Sequence, residues 1–458
     1  MKRIAIYSHS IAPSIDGVCR RFTGILHEMQ KQGMATLLFT MEDEPLDLPA
    51  STEFVTLDHI IFPTYPNKKV AWATVRSFLA IFRKLQEFRP DIIHVVADGF
   101  SQMFSLAGRL LGIPVVGSFH TDIIDLLSTH GAWAVQKLCV LSKEAVDSVV
   151  LDSCATTSTS FQKKLATQGV HCEHVIITAV DLATFSPARR NEALRKELTF
   201  GDPDPNAFLC VYVGRISNEK RLDLMLDAVR RLKGVGKAYL AIVGDGPSAI
   251  AFAGLHGPEH GVYCQPRFLS HAELAEVYAS CDVHVSASEF ETLGNTVLEA
   301  FACGVPVVVP RTQGFRDTVH HEKDGFLFNP GDVSDAVVYL QRLKDDSALR
   351  RRMGAEGLRA VNARSISYVV GDLLQWYERG RQTYLRRRGE LIYRTLVPLV
   401  LLVLVPFAIA LFSCYNLTVA VFKPFIACGE YTVTARAADS PLLRQGAAGV
   451  TCKTRKGD

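Results

Sequence analysis

Two carboxylates, Glu291 and Glu299, are separated by the seven residues Thr292-Leu293-Gly294-Asn295-Thr296-Val297-Leu298. The β-rich run Val283–Ser286 precedes them and a helical pattern opens at about Asn295, so the pair spans a strand-to-helix junction. In an open α/β sheet that junction is where a ligand binds, because helix N-terminal N–H groups point outward and favour an anion. Gly294 lets a ligand approach the backbone of Leu293, Gly294 and Asn295 closely. Glu291 sits on the loop and Glu299 one to two turns into the helix, so the carboxylates bracket the helix N-terminus. A ligand with a charged middle and hydroxyl-bearing ends suits that layout: a sugar, a diphosphate and a ribose whose vicinal diol a carboxylate can grip.

The elements that must hold this loop are legible in the same way. β-rich runs at Ile4–Tyr7, Thr36–Phe39, Ile92–Val96, Val115–Gly117 and Val175–Ile177 alternate with helical patterns such as Val18, Phe22, Ile25, Leu26 and Met29. A second pattern, Val75, Phe78, Leu79, Phe82 and Leu85, predicts another covering helix. The polar stretch Gly201–Asn206 interrupts the rhythm, which resumes with strands at Phe208–Val213, Ala238–Val243, Val283–Ser286 and Val305–Val309 and helices from about Leu222, Ala272 and Asn295. The chain therefore predicts an α/β protein of two doubly wound domains. Its 458 residues allow two to four domains at roughly 100–200 residues each. With 48% hydrophobic and 21% charged residues it is no disordered chain, and a net charge of +3 gives no global field for nucleic acid. The eleven cysteines stand singly, without C-x-x-C pairs, and read as reduced cytosolic thiols. Met1-Lys2-Arg3 leads straight into Ile4–Tyr7, which predicts a first strand in place of a signal or transit peptide.

Glu291, Glu299 and the following Ala300-x-x-x-Gly304-x-Pro306-Val307-Val308 resemble the donor-site signature of the family 4 retaining glycosyltransferases. Gly214-Arg215-Ile216-Ser217-Asn218-Glu219-Lys220 is similar to that family's G-R-x-x-x-E-K phosphate segment. The likeness implies Arg215 and Lys220 as cations at the donor diphosphate, one a bidentate fork and the other a flexible point charge. Val243-Gly244-Asp245-Gly246-Pro247 resembles a family turn, which implies Gly246 near the nucleotide. Asp16-Gly17-Val18 resembles the family's glycine loop, with Asp16-Gly17 where many relatives have two glycines. Ser118-Phe119-His120-Thr121-Asp122 matches the place where the family carries a histidine reaching the donor sugar, which implies a catalytic His120 beside Glu291, Arg215 and Lys220. Within the family, Glu289-x-Glu291-Thr292-Leu293-Gly294, Gly325–Asp332 and Phe62-Pro63-x-Tyr65 are similar to the sulfoquinovosyltransferases, and Gly294–Ala300 also resembles mannosyltransferase branches.

The resemblance implies a GT-B fold: an acceptor-side Rossmann-like domain over 1–200 and a nucleotide-sugar-binding one over 201–372, facing each other across a cleft. A returning helix and basic segment are expected over 373–394, a transmembrane segment over 395–422 and a tail over 423–458. Thr395 to Phe422 is free of charge for 28 residues, more than the roughly 20 a bilayer helix needs. Arg379, Arg381, Arg386, Arg387, Arg388 and Arg394 lie upstream, which by the positive-inside rule predicts a single pass with cytosolic catalytic domains. The implied activity is metal-independent transfer of a hexosyl group, sulfoquinovose among the candidates, from a nucleotide-diphosphate sugar to a membrane lipid such as diacylglycerol. The donor is expected to be UDP-linked and no cofactor is expected; the D-x-D at Asp202–Asp204 falls in the linker. Mannosyl or another hexosyl transfer is the alternative, with a nucleotide-sugar epimerase and a catalytically silent membrane-tethered binding protein as further readings.

Overall fold

The computed structural model describes residues 1–13, 17–62, 65–71, 74–96, 101–120, 151–289, 291–390 and 399. They divide into two compact units, one of Met1–Ala179 with the described residues from Arg364 to Glu390, the other of Val180–Ala363.

In the first unit a seven-stranded sheet runs in the order β3-β2-β1-β6-β7-β8-β9, with every neighbouring pair parallel. Its strands are β1 (Arg3–Tyr7), β2 (Ala35–Thr40), β3 (Thr52–Thr56), β6 (Ile92–Val96), β7 (Val115–Phe119), β8 (Ser153–Thr156) and β9 (His174–Val175). β4 (His59–Phe62) and β5 (Tyr65–Ala71) form a separate antiparallel pair. Most sheet strands are buried on both faces, which is why they read as unbroken apolar runs. On one face Ile4, Ile6 and Val116 meet Phe22, Ile25 and Met29 of helix Gly17–Lys31 and Val370, Leu373, Trp376 and Tyr377 of helix Ile366–Arg387. The other face packs against Ile81 and Leu85 of helix Val75–Phe88. That helix is turned from the stripe the sequence pattern predicts, for Val75 and Leu79 are exposed.

The second unit has a six-stranded parallel sheet in the order β12-β11-β10-β13-β14-β15. Its strands are β10 (Phe208–Val213), β11 (Ala238–Val243), β12 (Val262–Cys264), β13 (Val283–Val285), β14 (Val307–Pro310) and β15 (Gly325–Phe328). β10 lies between β11 and β13, so the strand order reverses there and the loops leaving these strands splay to either side.

The unit boundaries differ from the expected 200/201 and 372/373. Phe185 and Leu198 are core residues of the second unit, so the chain enters it about twenty residues early, and Gly201–Asn206 is a turn inside that unit. At the other end, Val370 belongs to the first unit's core, so the return begins before residue 373. Asp202 and Asp204 serve that turn: Asp202 accepts from the Tyr239 hydroxyl at 2.6 Å and from the Asp204 N–H at 2.9 Å, and Asp204 accepts from the Asn206 N–H at 2.8 Å. The expected transmembrane segment, 395–422, lies outside the described residues except for Leu399; among the described residues no helix is long and apolar enough to cross a membrane. The seven described cysteines are all buried.

Candidate active site

Four of the expected residues converge at the strand ends of the second unit. Helix Asn295–Ala302 starts at Gly294, whose φ of 87° is left-handed, and an added Cβ would lie 2.9 Å from the Phe315 ring. Gly294 has no side chain with which to cap the helix, so the N-cap position itself leaves the first-turn N–H groups open. The Glu291 carboxylate folds back onto this turn, accepting from the Gly294 N–H at 3.3 Å, while the Glu291 carbonyl accepts from the Gly314 N–H at 2.8 Å. Lys220 arrives from the loop after β10: its Nζ lies 3.6 Å from Glu291 Oε2 and donates to Ser288 Oγ at 3.3 Å. Both charged groups are only partly buried, so the ion pair is solvent-screened and free to rearrange around a ligand. Two loops thus bring an ammonium, a carboxylate and a helix N-terminus together, and the first and last of these suit a diphosphate.

Arg215 lies on the same loop as Lys220, exposed, where the Tyr212 hydroxyl donates to its carbonyl at 2.7 Å and fixes the turn. Burial, with the nearby Glu291 carboxylate, pushes the Tyr212 hydroxyl well above its ordinary pKa, so it stays a neutral donor. Gly246, after β11, packs backbone to backbone: its Cβ would fall 2.3 Å from the Ile216 carbonyl oxygen. It therefore lets the two loops touch, a structural requirement independent of any ligand. Asn295 Oδ1 is buried and unpartnered among the described residues. Leu293 is buried, and its carbonyl accepts from the Thr318 hydroxyl at 2.7 Å.

Glu299 behaves unlike Glu291. It is 5% exposed and accepts from the Tyr278 hydroxyl at 3.1 Å, so helix packing orients the carboxylate before any ligand arrives. The sequence reading missed His284, which sits within the apolar strand β13. Its Nδ1–H donates to the Val211 carbonyl and its Nε2 accepts from Thr296 Oγ1, both at 3.1 Å. This ties the first turn of helix Asn295–Ala302 to β10. Burial lowers its pKa to about 4, so it is a neutral brace. A histidine interrupting Val283-His284-Val285 was the available signal.

Gly17 and His120 belong to the first unit. Gly17 opens helix Gly17–Lys31, while its neighbour Asp16 lies outside the described residues. His120 is buried at the end of β7, with Nδ1 2.8 Å from Arg21 Nη1 and Nε2 2.7 Å from Ser118 Oγ. Both ring nitrogens thus meet side chains of its own unit. Desolvation, then Arg21, hold its pKa well below the ordinary histidine value. Among the described residues no cluster of His, Cys, Asp and Glu could hold a metal ion.

HepE of Anabaena, solved with UDP and glucose, superposes with a TM-score of 0.63 over 82% of this chain and 99% of its own at 18% identity, a likeness of fold. Sucrose-phosphate synthase from Thermosynechococcus elongatus gives 0.66 over 82% and 98%, also at 18%. These neighbours and the two parallel sheets define a GT-B fold with two Rossmann-like domains. Residues 15–183 match the family described as Glycosyltransferase Family 4, and residues 195–359 match Glycosyl transferases group 1. The GDP-mannose-dependent alpha-mannosyltransferase of Mycobacterium tuberculosis is 30% identical over 404 residues, 83% of this chain and 98% of that protein. The Arabidopsis thaliana sulfoquinovosyl transferase SQD2 is 30% identical over 369 residues, 77% and 69% respectively. The chain belongs to the family 4 glycosyltransferases, retaining enzymes that take a sugar from a nucleotide-linked donor.

Proposed function

We propose that this enzyme transfers a hexosyl group, with retention, from a UDP-linked sugar to a lipid such as diacylglycerol at a membrane surface, with sulfoquinovose as the leading sugar. The observation that carries the donor side is the meeting of Lys220, Glu291 and the uncapped helix N-terminus at Gly294. Cleaving the anomeric bond leaves negative charge on the diphosphate. Lys220, Arg215 and the first-turn N–H groups of Asn295–Ala302 stabilise that charge without reorganising, which is the work a divalent metal does elsewhere. Glu291 moves off Lys220 to position the sugar, and Glu299, oriented by Tyr278, holds the ribose diol. His120 acts from the first unit as a neutral group near the sugar.

The lipid side rests on the apolar run 395–422 with its upstream arginines, and on relatives that include SQD2 and the alpha-monoglucosyldiacylglycerol synthase of Streptococcus pneumoniae, 24% identical over 363 residues. In this reading the run crosses the bilayer once and the catalytic units stay in the cytosol. Mannosyl transfer is the second reading, favoured by the mycobacterial relative with which alignment is nearly end to end. A donor screen decides: the purified chain, radiolabelled UDP- and GDP-sugars and a lipid extract, scored for labelled lipid. UDP-sulfoquinovose alone giving product supports the proposal; GDP-mannose alone overturns it in favour of the second reading. Deleting 395–458 is expected to release the chain from membranes, and a truncated chain that still pellets in high salt removes the anchor assignment.

A further inference from the structure

Along β7 in the first unit lies a chain of polar side chains of which the proposed donor chemistry uses His120 alone. Arg21 meets His120 Nδ1 at 2.8 Å, His120 Nε2 meets Ser118 Oγ at 2.7 Å, Ser118 Oγ meets His94 Nε2 at 2.7 Å, and His94 Nδ1 meets the Tyr377 hydroxyl at 2.7 Å. A guanidinium can only donate, which fixes the first two links, and the Ser118 hydroxyl proton, whose acceptor along this chain is His94 Nε2, fixes the rest. His120 Nδ1 must accept, its proton sits on Nε2 and goes to Ser118, Ser118 donates to His94 Nε2, and the His94 Nδ1 proton goes to Tyr377. Both imidazoles are therefore neutral, in keeping with burial lowering the His94 pKa to about 3.

Arg21 is left as a charge without a countercharge. It is 9% exposed, donates to His120 and to Thr178 Oγ1, leaves Nε–H unpartnered, and has no carboxylate partner among the described residues. The titratable rings it acts on, His94 and His120, offer no negative charge, and burial lowers the Arg21 pKa to about 10. The same unit treats its other buried arginine differently: Arg109 is met by both oxygens of Asp152, at 3.0 and 3.2 Å, with both side chains almost fully buried. Desolvating a cation with no partner is costly, and a fold that pairs Arg109 but leaves Arg21 open retains the cost where a ligand supplies the missing charge.

The geometry points to Arg21, flanked by His120 and Thr178, as an anion site of the first unit that takes a tetrahedral oxyanion, a sulfonate or a phosphate, carried by a substrate. It extends the proposed function without depending on it, since binding is read without turnover and the donor cations Arg215 and Lys220 belong to the second unit. The test is thermal unfolding of the full chain in methanesulfonate, in inorganic phosphate and in chloride at equal ionic strength. One of the first two is expected to raise Tm by about 2–4 °C over chloride at saturation. Arg21→Gln removes that rise and Arg21→Lys weakens the anion about tenfold, whereas Arg215→Ala with Lys220→Ala leaves the rise in place. A rise with methanesulfonate alone assigns a sulfonate-bearing substrate, and one with phosphate alone assigns a phosphate. A rise equal in chloride, or one lost in the Arg215/Lys220 variant and kept in Arg21→Gln, overturns the site. Should both Arg21 variants fail to fold, histidine-labelled wild type provides the reading: the anion must shift the His120 and His94 ring 15N resonances at matched ionic strength, and unmoved resonances overturn the site.

Discussion

The two units handle charge in opposite ways. In the second, the cation and carboxylate at the strand ends, Lys220 and Glu291, are 3.6 Å apart and partly open to water. Such a pair costs little to form and little to break, so a ligand can exchange it for its own contacts. In the first, Arg21, His94 and His120 are buried, and the bonds among them fix the protonation of each ring. Rearranging that cluster means leaving a buried donor or acceptor unmade, so it is a rigid feature. The contrast teaches that a mobile electrostatic site and a preorganised one can be built on the same parallel-sheet scaffold, the difference lying in depth below the strand ends.

The sharpest way to break the comparison is to remove the open cations. Lys220→Ala with Arg215→Ala is expected to lower turnover about 10²–10³-fold, by loss of leaving-group stabilisation, while the affinity for UDP falls less. Steady-state rates and nucleotide titration separate the two, and unchanged turnover would place the phosphate site elsewhere. Next in size is Glu299→Ala: if its carboxylate holds the ribose as proposed, binding of the nucleoside diphosphate weakens by about 1–3 kcal/mol. Glu299→Gln retains a partner for Tyr278, so a smaller loss there separates ligand binding from helix packing. Calorimetric titration reads both variants.

The smallest effect concerns pH. Burial holds His284 at about 4 and His94 at about 3, below the ordinary value of 6.5. A histidine depressed in the folded state adds no penalty above about pH 6.5; below it the unfolded chain takes up protons that the folded chain refuses. Stability is therefore lost as pH falls from about 6.5, over a window that closes near 4 for His284 and near 3 for His94. Urea denaturation between pH 7 and pH 4 should show this decline, flattened by His284→Asn in the second unit and by His94→Asn in the first. A profile unaffected by either change would mean these rings are charged in the fold.

Much of the scaffold was written locally. Phe208–Val213 and Ala238–Val243 are continuous apolar runs, and burial on both faces of a parallel strand demands that pattern. The loop carrying Glu291, Gly294 and Asn295 was legible because a strand end, a glycine and a helix start lie within a dozen residues. β8 was not, since Ser-Cys-Ala-Thr carries no apolar signature and is a strand only because its neighbours bury it.

The sequence by itself thus determined the alternation of strands and helices, the loop from Glu291 to Asn295 and the family, because each depends on residues near one another in the chain. Only the tertiary structure decided that the chain returns to the first unit at Arg364, that Glu299 is buried against Tyr278, and that His120 is locked between Arg21 and Ser118. Those outcomes join positions 21, 94, 118, 120, 178 and 377, brought together by parallel crossovers and a helix laid across the sheet. No spacing rule connects such residues. The Arg21 charge, held by His120 and Thr178 with no carboxylate among the described residues, arises only once the chain has folded around it.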